Sequence, residues 1–372
     1  MNRRRFCGTA AGSLASLTAC GRRAAPSPAG MAFVANREGK AVAAVDLSAL
    51  AVVRHVTLPS GPTDVASHRA HAAVFVSLPD LATLAEISTE KLAAGRRLRL
   101  PSPAVKMRFT SDGAALWVLA AEARQLLRIS PGEMKIEARV HLAETAVDFD
   151  LSFEEEWAAV SLGASGRVAV VNRARAMVTH TAELGSELGA IRFRKDARLI
   201  MAADRRDRAL VFYDMASSRV AVRVPLHLRP DQFCFKPDGG QLFITGEGLD
   251  SVVTVYPYQT EVGATMLAGR APGVMAASVI PSYLFVANTS SNTVTILNVA
   301  TQRVMGAAQV GREPGFISIT PNQEYALVLN RQSGDMSVLH IPTVSARRTK
   351  AAGLFTQVPV GSEPVAAVVR EL

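Results

Sequence analysis

The signatures of the common catalytic chemistries are missing from this sequence. Its 372 residues contain no CxxCH for covalent haem, no HExxH, no Walker loop and no GxSxG elbow. Cysteine is nearly missing too: there are 3, and Cys7 and Cys20 precede anything that looks foldable. Cys234 is then alone, so the fold has no internal disulfide and depends on its core for stability. It lies in the apolar run Gln232-Phe233-Cys234-Phe235 and reads as a buried, inert thiol. Aromatic residues make up 6% of the chain and sit at recurring apolar positions, which argues against a base-stacking platform and against nucleic acid as a partner. After residue 20 no apolar run reaches the ~20 residues that a membrane helix needs. Histidine is scattered. Only His68 and His71 are close together, in a stretch that reads as a surface turn. No metal and no resident cofactor are expected.

What is present begins with an address. Arg3-Arg4-Arg5-Phe6 is a basic head, and Gly8 to Ala19 is a short, weakly apolar run of mostly small residues. That order is the grammar of a signal peptide and is set aside from fold reasoning. Asn2-Arg3-Arg4-Arg5-Phe6 resembles a bacterial twin-arginine signal. Leu17-Thr18-Ala19-Cys20 resembles a lipobox, which implies cleavage before Cys20 and lipid on Cys20. General secretory export stays open, because a lipobox serves either route. On this reading residues 1–19 are signal and residues 20–30, rich in Gly, Pro and Ser, are a tether. Gly21 stands where such lipoproteins carry an inner-membrane retention aspartate, which favours the outer membrane. The formal net charge is +9 and falls to +6 without Arg3, Arg4 and Arg5. A mildly basic balance is compatible with anionic ligands or surfaces.

Apolar residues make up 49%, enough for a large core, and they recur with a period of 42. Phe33, Phe75, Trp117, Ala159, Met201, Phe243, Phe285 and Leu327 occupy the same place in eight runs such as AFVAN and LFVAN. A turn marker runs in phase at Asp46, Ser88, Ser130, Asn172, Asp214, Tyr256, Asn298 and His340. Prolines at 62, 103, 230, 272, 314 and 364 precede a further apolar run, and the repeats that lack one still carry AVDFDL and AIRFRK. Four short strands per unit at this period predict a β-propeller blade. Radial stacking buries both faces of each blade and leaves only short edges.

AFVAN, LFVAN, GREPGFISITPN, VTILNVATQRV and the TSDG and KPDGG turns resemble the YVTN-type propeller repeat of secreted bacterial and archaeal proteins. The resemblance covers roughly residues 31–369. It is strong at 271–330 and in the first unit, and weak in units two to four. The first unit lacks a leading strand and the last ends with a spare one, Val365–Val369. Pairing those two closes a single all-β domain over 31–372 with eight blades; many relatives have seven, which stays the alternative. The last unit carries a surplus near residues 345–350, a basic loop.

Candidate chemistry is confined to a set of arginines. Arg229, Arg270 and Arg312 stand just ahead of leading strands, and Arg205, Arg206 and Arg331 follow the FVAN-like strands. In a propeller both loops lie on one face, around the channel mouth. Guanidinium groups pair bidentately with carboxylate or phosphate, so these six form a candidate anion rim. Asp207, Asp231 and Glu313 are close enough in sequence to pair with them instead. Ser161–Gly166 reads as a turn, and Glu154-Glu155-Glu156 as a solvated one. The expected function is a lipid-anchored, monomeric binding module for a small anionic ligand or an envelope protein. Two other readings remain. One is a cofactor-handling or enzymatic propeller, of the haem d1, quinoprotein or lactonase kind. The other is a structural role in an envelope assembly.

Overall fold

The computed structural model describes residues 30–154, 156–344 and 353–371. The expected leader, the expected lipid attachment at Cys20, the expected tether up to residue 29, and the surplus at 345–350 lie outside the described residues. The rest folds as eight four-stranded antiparallel sheets arranged as a propeller. Blade 1 joins the two ends of the chain: Pro364–Arg370 pairs with Met31–Asn36, with Phe33 opposite Val368, followed by Ala41–Asp46 and Ala51–Thr57. Blades 2 to 8 follow in sequence. Their leading strands are Asp64–Ser67, Ala104–Phe109, Asp148–Leu151, Leu188–Phe193, Arg229–Phe235, Pro272–Ala277 and Pro314–Ile319. Each leading strand touches that of the next blade, and together with Pro364–Arg370 they close the ring around the channel.

The 42-residue period is explained by what each repeated position does. Six of the eight FVAN-like strands are buried along their whole length, as in Tyr283–Asn288, because both faces pack on neighbouring blades. The apolar core is correspondingly divided into eight clusters, one at every blade–blade junction. Phe285, for example, packs among Ile296, Val328 and Leu339 between blades 7 and 8. The turn marker works through its side chain. Asp46, Asn172, Asp214 and Asn298 accept backbone N–H bonds from residues two or three further on, and Ser88 and Ser130 accept one each through Oγ. Four residues past each of these markers the chain turns left-handed, as at Leu92 (φ 47) and Ser218 (φ 54).

The asparagine of the FVAN-like runs holds the loop in front of the leading strand. Asn36 Nδ2 donates to Val360 O at 2.7 Å, and Asn288 Oδ1 accepts from Gly269 N at 3.0 Å. Asp204 does the same in blade 5, accepting from Ser186 N at 3.1 Å. Among the described residues no helix is long and apolar enough to cross a membrane.

Candidate functional site at the central channel

The leading strands alternate, so every second residue shares one orientation and, with the 42-residue period, falls at one level of the ring. One level carries Asp64, Lys106, Asp148, Ala190, Gln232, Val274, Phe316 and Ala366. The next carries Ala66, Arg108, Asp150, Arg192, Cys234, Ala276, Ser318 and Val368. All the charge at these two levels belongs to blades 2 to 5. Blades 6, 7, 8 and 1 present neutral or apolar side chains.

Asp148 is the hub of the charged arc. It accepts from Lys106 Nζ, from Arg192 Nη1 at 2.7 Å, and from the N–H groups of Phe149 at 2.8 Å and Ile191 at 3.1 Å. Burial works against its charge, but Arg192 and Lys106 outweigh it and hold the carboxyl down at about 2. Lys106 carries the cost: burial and the neighbouring Arg192 lower its ammonium to about 8. One level along, Arg108 Nε donates to Phe149 O at 3.1 Å and lies 3.5 Å from Asp150 Oδ1. Asp150 accepts from Phe193 N at 2.9 Å. Asp64 accepts from Val65 N at 2.9 Å and Met107 N at 3.2 Å, yet burial prevails and its carboxyl rises to about 6. These carboxylates also bond N–H groups on the channel-facing edge of the next blade, so the arc stitches blades 2 to 5 together.

At the mouth where the arginine set lies, a cavity of about 690 Å³ is lined by Lys106, Asp148, Arg192, Arg205, Arg206 and Glu187, with Asp64 and Asp231 also on its wall. Its cations and anions are evenly matched. Arg205 lies 3.7 Å from Asp231 and 3.9 Å from Glu187, and Arg229 bonds Glu187 at 2.9 Å and Glu247 at 3.4 Å. Arg206 is exposed, and among the described residues its side chain has no partner. The six arginines share one face but not one hollow. Arg205 and Arg206 line the main cavity, Arg270 lines a neighbouring one with Arg205 and Asp250, and Arg331 lines a third beside Glu38 and Glu363. Arg312 bonds through its backbone N–H to Ser333 Oγ at 2.9 Å.

Cys234 sits at the second level of the ring, half-buried rather than buried as expected, and desolvation pushes its thiol up to about 12. That keeps the thiolate scarce and the group inert. His68 and His71 occupy a loop at the opposite mouth and bond Ser111 O at 3.2 Å and Gly113 O at 2.7 Å. No cluster of three or more metal-ligating side chains occurs among the described residues. The charged arc was absent from the candidates drawn from sequence, although the signal was present. Lys106 and Asp148, and likewise Arg108, Asp150 and Arg192, stand one period apart inside runs read as apolar.

No protein-family model matches this chain, and no curated protein does. Solved structures match in fold. Dihydro-heme d1 dehydrogenase NirN in complex with DHE aligns at a TM-score of 0.77 and 11% identity, over 93% of this chain and 76% of that one. Apo AztD from Citrobacter koseri aligns at 0.70 and 10%, over 92% and 98%. Hydrazine synthase from Kuenenia stuttgartiensis aligns at 0.59 and 16%, over 72% and 92%. At such identities the likeness is one of architecture, which hosts many unrelated functions.

Proposed function

We propose that this chain is an exported, lipid-anchored propeller of the YVTN-repeat kind. It acts at the periplasmic side of the cell envelope as a binding module, and the first-mouth cavity is its ligand site. The observation that carries the proposal is the placing of Lys106, Asp148 and Arg192 on mutually braced inner strands at the base of an open cavity of about 690 Å³. A rigid floor with donors and acceptors in fixed positions suits recognition of a small polar ligand. Arg206, unpaired at the rim among the described residues, is the cation free to meet an anionic group on it.

The cofactor-handling alternative draws its support from the fold shared with NirN. Its difficulty lies in the donors: the described residues lining this cavity offer carboxylates, Arg and Lys, but no imidazole or thiolate for a metal-centred group. Protein exported with its own signal and extracted from membranes tests both readings by visible spectrum and intact mass. The binding-module reading expects a colourless protein at the lipidated mass, stabilised by some member of a panel of small carboxylates and phosphates, with the gain lost in Arg206→Glu. A chromophore, or stabilisation untouched by Arg206→Glu, would overturn it.

A further inference from the structure

The opposite mouth of the channel differs in chemistry from the first. A cavity of about 490 Å³ opens there, lined by Arg108, Asp150, Arg192, Lys195, Phe153, Phe193 and Phe235. Arg194 and Lys236 also border it, but both are committed: Arg194 to Asp196 through two bonds of 2.8 and 2.9 Å, Lys236 to Asp238 at 2.6 Å. The remaining cations are under-used. Arg108 spends only its Nε within the described residues, on Phe149 O and Asp150. Arg192 spends Nη1, on Asp148 and Ile191 O. Lys195 has no hydrogen-bond or ion-pair partner among the described residues. A guanidinium carries five N–H donors, so most of those on Arg108 and Arg192 are unclaimed there. Asp150 is the one carboxylate among the described residues of the cavity wall, and it already accepts from Phe193 N.

One aromatic residue of this wall is unexplained by folding: Phe193 belongs to the core between blades 4 and 5 and Phe235 packs on the core between blades 5 and 6, but Phe153 is in neither. Phe153 is 62% exposed, although its loop is fixed by Ser111 Oγ donating to Phe153 O at 3.1 Å. A large ring held in water on the wall of a cavity is an apolar platform that no core cluster claims among the described residues. Planar cations and aromatic faces around one hollow call for a ligand that is anionic at one end and flat at the other. Such a ligand would set its anionic group against Arg108, Arg192 and Lys195 and its ring against Phe153.

We infer that this second mouth is a binding site for a small aryl carboxylate of one or two rings, distinct from the first-mouth cavity although Arg192 borders both. The probes are 2-naphthoate and the uncharged 2-naphthamide, titrated calorimetrically into residues 30–372, with acetate as the ring-free control. The inference expects saturable binding of 2-naphthoate at one site, and binding of neither 2-naphthamide nor acetate. Lys195→Ala and Phe153→Ala alter exposed side chains outside the core. Each is expected to weaken 2-naphthoate about fivefold, corresponding to about 1 kcal/mol. Arg206→Glu at the first mouth is expected to leave it unchanged. Failure of 2-naphthoate to bind would overturn the inference. So would equal binding of the amide, indifference to both second-mouth variants, or loss in Arg206→Glu, the last of which would place the site at the first mouth.

Discussion

Replacing Asp148 with alanine tests whether the charged arc is a working part of the ring. Asp148 is 8% exposed and is the shared acceptor for Lys106, Arg192 and two backbone N–H groups. Without it two largely buried cations lose their counter-charge, a change that costs about 3–5 kcal/mol when one partner of a buried pair is removed. In a chain of this size each kcal/mol moves the melting temperature by about 2 °C, so a fall of roughly 6–10 °C is expected at pH 7. Lys106 offers a partial escape. Its ammonium already loses its proton near 8, and without Asp148 it does so more readily. The deficit should therefore shrink at pH 9, where Lys106 is neutral and no longer repels Arg192. The double variant Asp148→Ala/Lys106→Met should be less damaged than the sum of the two single changes, by about 1 kcal/mol or more. Thermal unfolding by circular dichroism at the two pH values reads all of this. A melting temperature within about 2 °C of the parent, or strictly additive single changes, would refute the account of Asp148 as hub.

Other expectations follow from the same geometry. Asp64 binds its proton more tightly in the folded protein, at about 6, than a free aspartate side chain does at 3.8. Its stabilising share is therefore present below 3.8 and is lost as pH rises through about 6, a change of about 3 kcal/mol that Asp64→Asn should flatten in urea titrations between pH 4 and 7. Asp148 acts in the opposite sense and lower down, its contribution disappearing as pH falls from 3.8 toward about 2. Phe285→Ala opens a cavity between blades 7 and 8 and should cost about 3–5 kcal/mol, seen as a lower denaturant midpoint with an unchanged slope. Deleting residues 364–372 removes the strand that closes the ring onto Met31–Asn36 and should abolish cooperative unfolding; a truncated chain that melts like the parent would contradict closure by those strands.

The architecture was legible because each marker of the period has one mechanical task. Phe33 and its equivalents fill the junctions, Asp46 and five of its equivalents bond the turn that follows, and the strand beginning at Pro364 had no partner but Met31–Asn36. The arginine set was legible only as to face, because loop connectivity fixes which end of the barrel a residue occupies. Which loops share a hollow depends on side-chain reach across blades, and that is not periodic. Arg229 illustrates this: it reaches back 42 residues to Glu187 rather than to its sequence neighbour Asp231. The charged arc went unread for a different reason. AVKMRF and AIRFRK satisfy the apolar requirement at every second position, and a search for apolar runs passes over the intervening charges.

Those charges bear on where this chain departs from its own repeat. Asn36, Asn288 and Asn330 keep the buried asparagine that ends the FVAN-like strand, and the blades that hold them contribute no charge to the two channel levels. The equivalent positions in blades 2, 3 and 4 are Leu78, Ala120 and Leu162, which cannot bond the incoming loop through their side chains. Blades 4 and 5 also lack the leading proline. In blades 2 to 4 the carboxylates and cations of the leading strands supply ties between neighbours: Asp64 to Met107 N, Lys106 to Asp148, and Arg108 to Phe149 O. Neutral ties at the loops have thus been exchanged for charged ties in the channel. For holding blades together alone the exchange is unfavourable, since desolvating ions offsets much of what their pairing gains. It also leaves an ammonium and a carboxyl far from their usual proton affinities, at Lys106 and Asp64. Local rules are commonly broken where function is served. Loss of the asparagine and channel charge coincide in blades 2 to 4, while blade 5 keeps its loop tie through Asp204 and blade 6, with Gly246, has neither asparagine nor channel charge; a ligand is expected at the mouths of the charged half of the ring.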